Sequence, residues 1–215
     1  MILRPGPVAE LTELLSLSEM TVDPQRTATL VVDVQNDFCE SGALAVEGGR
    51  ETARRITECL AAPRSFGLVV TTQDWHIDPG SHFSETPDFR DSWPPHCVVG
   101  TPGAQLCPEL SLPRLDAAFK KGEFEAAYSG FEGRLDDPRQ RPEDRPRLNT
   151  WLLDHGVDTV LICGLAFDYC VTQTALDARR LGFETVVLGP LTAAISEETA
   201  RTAEAELADA GVRIL

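Results

Sequence analysis

Three of the chain's four histidines, His76, His82 and His96, fall within one 21-residue stretch, and Asp74 stands two positions before the first of them. One carboxylate with three imidazoles is a nitrogen and oxygen donor set suited to Zn²⁺, Fe²⁺ or Mn²⁺, with coordination positions left over for water or a substrate. The plainer reading of the same clustering is a set of solvated loop histidines. The surrounding residues 74–113 are rich in Pro, Gly and Trp and carry no sustained periodicity. An aperiodic loop of that length in a compact domain is usually functional. The fourth, His155, precedes Gly156 at a predicted helix end, where an imidazole suits the helix dipole.

A second group of residues could perform nucleophilic chemistry. Cys170 follows an apolar run and a glycine, Gly164, at the predicted start of a helix. Helix N-termini stabilise thiolates, and their free N–H groups can hold an oxyanion. The alternative is a small apolar residue under the helix, like Cys163 just before it. Asp33 closes the run TATLVVD (27–33) and could take a thiol proton if burial raises its pKa. All but two of the 19 basic residues are Arg; the exceptions are the neighbours Lys120 and Lys121. A lysine is a compact cation whose pKa responds to burial, which Arg's does not. Strand alternation lets only one of the two face a given side, and composition does not say which.

The elements that must position these groups alternate. Apolar runs at 27–33, 67–72, 116–120, 157–163, 183–188 and 211–215 read as strands. Helical spacing recurs at 48–62, 148–155, 169–181 and 196–209. Alternating strands and helices predict a three-layer α/β domain with an open parallel sheet. Ligands in such sheets bind beyond the carboxyl ends of the strands, where Asp33, Asp74, the lysine pair and the 164–170 segment all fall. Residues 1–26 read as an extension, with Leu11, Leu14 and Leu15 at helical spacing, ahead of one domain over 27–215. The polar, Pro-rich segment 132–147 reads as an exposed excursion.

The composition narrows the class. The chain has 215 residues, of which 42% are hydrophobic and 25% charged, enough to bury a sizeable core. A net charge of -15 argues against nucleic acid or an anionic membrane as partner. With no signal peptide evident and no run of membrane-spanning length, the expected location is cytoplasmic. Six cysteines without a CxxC pair read as free thiols. The sequence leaves room for a homo-oligomer.

Five segments carry a resemblance: VVDVQNDFC (31–39), WHIDPGSHF (75–83), WPPHC (93–97) with GTPGA (100–104), KGEFEAAYSGFE (121–132) and GLAFDYCVTQTA (164–175). Together they resemble the nicotinamidase/pyrazinamidase branch of the isochorismatase-like cysteine hydrolases, in family order and over about residues 28–215. The first segment alone would place only the superfamily; the histidine loop with WPPH narrows it. The resemblance implies a six-stranded parallel sheet, order 3-2-1-4-5-6, between helices. It implies a triad of Asp33, Lys121 and Cys170, the lysine being the one that directly precedes Gly122. It further implies metal ligands Asp74, His76, His82 and His96, and a non-proline cis peptide between Leu165 and Ala166. The N–H groups of Ala166 and Cys170 would form the oxyanion hole. Phe38 and Trp93 would sandwich a pyridine ring, with Leu165, Ala166, Tyr128 and Tyr169 around it. The chain departs from the family at Tyr169, where His is frequent, and in its longer 1–26 and 133–147 segments.

The implied activity is hydrolysis of nicotinamide to nicotinate and ammonia through a Cys170 thioester, with pyrazinamide a further substrate and one divalent ion (Zn, Fe or Mn) as cofactor. Another amide or ureide hydrolase of the superfamily, such as an N-carbamoyl amidase, would share the triad but usually lack the histidine loop. A non-catalytic ligand-binding member would bind nicotinamide without releasing ammonia.

Overall fold

The run Thr27–Val32 forms β1, with all six residues buried, as a strand packed on both faces must be. The structure, a computed structural model, describes residues 23–61 and 66–215; the apolar spacing at Leu11, Leu14 and Leu15 lies outside them. After β1 come α1 (Gly49–Ala61), β2 (Leu68–Asp74), β3 (Ala117–Lys121), β4 (Arg134–Leu135) and α2 (Leu148–Asp154). The chain then runs through β5 (Thr159–Leu165), α3 (Thr172–Arg180), β6 (Glu184–Ala193), α4 (Glu197–Asp209) and β7 (Arg213–Ile214).

The sheet has seven strands in the order β4-β3-β2-β1-β5-β6-β7. The central strand is β1, flanked by β2 and β5 in parallel register. Side chains of β1 alternate between two cores. Ala28, Leu30 and Val32 pack with Leu152 of α2, Ala175 of α3 and Leu207 of α4. Val31 packs with Ile56, Cys59 and Leu60 of α1 on the other face. Helices therefore cover both sides of the sheet, as the alternation of elements predicts.

The expected six-stranded, all-parallel sheet needs correction. Its six strands are present in the expected order, but β4 adds a seventh, antiparallel to β3 through Phe119↔Leu135 and Lys120↔Arg134. Two residues inside a charged, Pro-rich segment leave no apolar alternation to read, so the excursion concealed an edge strand. The sixth strand is also longer than its apolar run. It continues through Gly189 and Pro190, where the pairing with β5 shifts between Ile162 and Gly164, an irregularity that tolerates both residues. The expected helix at 169 starts instead with one π-helical turn, Phe167–Val171, ahead of α3; such turns are frequent at functional sites. Among the described residues no helix is long and apolar enough to cross a membrane. All six cysteines are free and buried.

Candidate active site and metal centre

Four strands end at the same level and deliver one reactive group each. Asp33 follows β1 directly, with left-handed backbone at φ 49°. Asp74 closes β2 and Lys121 closes β3, paired in register. Past β5, the Leu165–Ala166 peptide is cis, and the π turn that follows carries Cys170. Gly164 permits this convergence: a Cβ there would lie 2.1 Å from the carbonyl oxygen of Val32. Only glycine lets β5 lie so close to β1 at this level.

The two lysines separate as strand alternation requires. Lys120 lies over the Trp75 ring at 3.6 Å and pairs with Asp136 at 2.9 Å. Lys121 turns inward and is 2% exposed. Its Nζ lies 2.9 Å from Asp33 Oδ2 and 3.7 Å from Cys170 Sγ, and donates to the Ala127 carbonyl at 3.0 Å. It also donates to Asp74 Oδ1. Asp33 Oδ1 accepts from Thr72 Oγ1 at 2.6 Å. Donor atoms of Asp33, Asp74 and Cys170 lie within 4.8 Å of one another.

This buried charge set splits the two acids. Burial raises the Asp33 pKa, against the pull of Lys121 and with the push of Asp74. Burial would raise Asp74 as well, but Lys121, His76 and His96 outweigh it and hold that carboxyl below its usual range. Burial alone would lower Lys121; Asp33 and Asp74 reverse the sign and hold it well above the ordinary value. Burial pushes the Cys170 thiol up, Lys121 opposes, and the two carboxylates add to the rise. Two neighbouring acids pushed in opposite directions divide the labour: one can exchange a proton while the other stays an anion.

Beyond Asp74 the loop brings the histidines together. The His76–His82, His76–His96 and His82–His96 ring centroids are 5.2, 4.9 and 5.3 Å apart. All three rings are buried, and their nitrogen donors lie within 4.8 Å of one another. Asp74 Oδ2 is 3.8 Å from Nε2 of both His76 and His96, so this carboxylate stands between the histidines and Lys121. His76 Nδ1 is 2.6 Å from the Gly122 carbonyl and His96 Nδ1 2.9 Å from the Pro94 carbonyl. Each contact makes Nδ1 the donor and leaves Nε2 with its lone pair free, the usual arrangement behind a metal-binding imidazole. His76 Nε2 and His82 Nδ1 are buried without a hydrogen-bond partner. Burial and the neighbouring rings lower His82 to about 4, so it is neutral at pH 7. Three buried imidazoles, two carrying orphaned nitrogens, beside one carboxylate fit a divalent cation. Gly122 is part of this fit, because a Cβ there would lie 2.7 Å from His76 Cε1.

A cleft of roughly 440 Å³, counting its open mouth, joins the two groups. Cys170, Asp74, His82, His96 and Ala166 line its floor, and Phe38, Trp93, Tyr128 and Tyr169 its walls. Trp93 donates from Nε1 to Tyr128 Oη at 3.0 Å and meets the Tyr169 ring edge-on at 5.2 Å. Leu165 is fully buried in the core beneath the site. Four further residues complete the lining: Leu44, Val46, Ala127 and Ile195. They are ordinary aliphatics in irregular segments, and no signal in the sequence singles them out. Asp37 is another residue the sequence left unweighted. It accepts from the backbone of Cys97 at 2.7 Å and of Ala43 at 3.3 Å, and so ties the histidine loop to the cleft wall.

The isochorismatase domain family matches residues 27–215. The chain is 50% identical, over 87% of its length and 97% of the relative's, to the nicotinamidase/pyrazinamidase of Mycobacterium tuberculosis. The crystal structure of PnC1 from L. infantum in complex with nicotinate superposes with a TM-score of 0.77 at 35% identity, covering 91% of this chain and 95% of that one. Pyrazinamidase of Pyrococcus horikoshii in complex with zinc gives 0.72 at 36% identity, covering 88% and 98%. With a family match over nearly its whole length and a relative of this identity, the chain belongs to the isochorismatase family.

Proposed function

We propose that the chain is a nicotinamidase, a cysteine amidohydrolase that converts nicotinamide to nicotinate and ammonia and also accepts pyrazinamide. The observation that carries this reading is that one cleft is lined by a thiol backed by a buried acid and ammonium, and by two imidazoles of a buried three-histidine cluster in which two ring nitrogens are orphaned. Its relatives, one described with nicotinate and one with zinc, support the same assignment.

Asp33 takes the Cys170 proton, a transfer that suits a base raised by burial facing a thiol raised by burial. Lys121 stays beside the sulfur and offsets the charge that forms there. The thiolate attacks the carboxamide carbon, and the N–H groups of Ala166 and Cys170 receive the developing oxyanion, each donor contributing about 3 kcal/mol. Asp33 hands its proton to the leaving nitrogen, ammonia departs, and a thioester remains on Cys170. Asp33 then takes a proton from water, whose oxygen attacks the thioester; the thiol is restored and nicotinate leaves. Phe38 and Trp93 hold the ring between them so that the carboxamide meets the sulfur. Asp74, His76, His82 and His96 would hold a divalent ion, Zn, Fe or Mn, whose chemistry is to bind the ring nitrogen of the substrate.

Ammonia release from nicotinamide tests the reading. Purified protein should turn over nicotinamide, lose that turnover on chelation and regain it when one of the three metals is restored. No release with any of them would redirect the assignment to another amide or ureide.

A further inference from the structure

The strand β1 stops too early to hold the end of β2. Its pairing with β2 ends at Val32↔Thr72, and the last main-chain bond runs from Asp33 N to Thr72 O at 3.2 Å. The chain then turns away at the left-handed Asp33. On its other side β2 is paired with β3 as far as Asp74↔Lys121. On the β1 side, the backbone of Asp74 has no strand to meet.

The side chain of Gln35 occupies that place. Its Oε1 accepts from Asp74 N at 2.8 Å and its Nε2 donates to Asp74 O at 2.8 Å. The second Nε2 hydrogen goes to the Ala104 carbonyl at 2.9 Å. Gln35 is fully buried. A carboxamide presents the same donor and acceptor as a peptide group, so the side chain extends the ladder by one rung. A carboxylate at position 35 would have no donor and would face two carbonyls; a residue shorter by one methylene would fall short of the rung.

We propose that Gln35 is a positioning residue that keeps Asp74 where its single carboxylate serves both Lys121 and the histidine cluster. Asp74 Oδ1 accepts from Lys121, and Oδ2 faces His76 and His96. Any rotation of the Asp74 backbone moves both oxygens together. Loss of the Gln35 rung therefore weakens the metal centre and removes one of the contacts that hold Lys121 beside Cys170 in one event. This inference rests on the reading of Asp74 and the three histidines as a metal site.

Gln73 supplies the control. It donates to the same Ala104 carbonyl at 3.0 Å but makes no side-chain bond to the Asp74 backbone. The experiment compares the unaltered chain with Q35E and Q73M in two measurements: the zinc dissociation constant by chelator competition, and the rate of Cys170 alkylation by iodoacetamide in metal-free protein. Q35E should bind zinc roughly 10- to 100-fold more weakly and alkylate severalfold more slowly, because the ammonium beside the thiolate is less firmly placed. Q73M should change neither. Where Q35E does not fold, Q35N, which keeps donor and acceptor on a shorter stem, should lose both properties. Unchanged zinc affinity in a folded Q35 variant overturns the role of Gln35, as does weakened zinc binding with normal alkylation, or an equal loss in Q73M. Failure of the unaltered chain to bind zinc overturns the metal reading itself.

Discussion

The ammonium of Lys121 lies among four groups, Asp33, Asp74, the Ala127 carbonyl and the Cys170 sulfur, and meets almost no solvent. Its three hydrogens diverge, as these partners do, whereas a guanidinium offers its donors in one plane. The substitution Lys121→Arg should therefore lower kcat on nicotinamide by roughly 100-fold, the usual result of misplacing a reacting group by about 1 Å. A variant with near-normal kcat would show that a positive charge alone suffices. The scarcity of lysine pointed to this pair in the sequence, but composition left Lys120 and Lys121 equal. The register of the resemblance chose Lys121, and the inward face of β3 now gives a physical reason. Leu165 marks the limit at this scale: its neighbour Ala166 lines the cleft, but its own side chain is in the core.

The elements cooperate through their ends. Asp168, two residues before Cys170, accepts from the backbone of Ile195 at 3.1 Å and of Ser196 at 3.4 Å, and from the Thr199 hydroxyl. It thereby ties the π turn to the start of α4 and fixes Ile195 on the cleft wall. Asp168→Ala should cost about 1–3 kcal/mol of stability, read from the urea midpoint, and raise KM for nicotinamide. An unchanged KM would mean that Ile195 holds its place without the tie. Strand and helix order was legible because each buried strand is an apolar run ending at a turn or a reactive residue. The edge strand β4 was not, because pairing of two residues depends on what the neighbouring strand offers rather than on their own pattern. The extension of β6 through Gly189 and Pro190 was hidden for the opposite reason, since both residues read locally as breakers.

Across the whole molecule the buried thiols link stability to pH. Burial pushes Cys59 up to about 12 and raises Cys39 and Cys163 too, while an unfolded thiol titrates near about 8.5. The folded pKa lies above the unfolded one, so this contribution is fully present below the unfolded value and is lost as pH rises toward the folded one. Each such thiol should remove about 1.4 kcal/mol per pH unit over that interval. Urea midpoints should hold steady near neutrality and fall between roughly pH 9 and 11; a flat profile there would contradict the burial of these groups. The same packing that keeps five cysteines neutral and inert leaves Cys170 as the one that lines the cleft. The most direct measurement is nicotinate formation from nicotinamide by the metal-loaded chain and by its Cys170→Ala variant, compared side by side at equal concentration. The account predicts turnover by the first and a loss of at least roughly 1,000-fold in the second, with the fold retained. Comparable rates in the two proteins, or none in the unaltered chain, would contradict it.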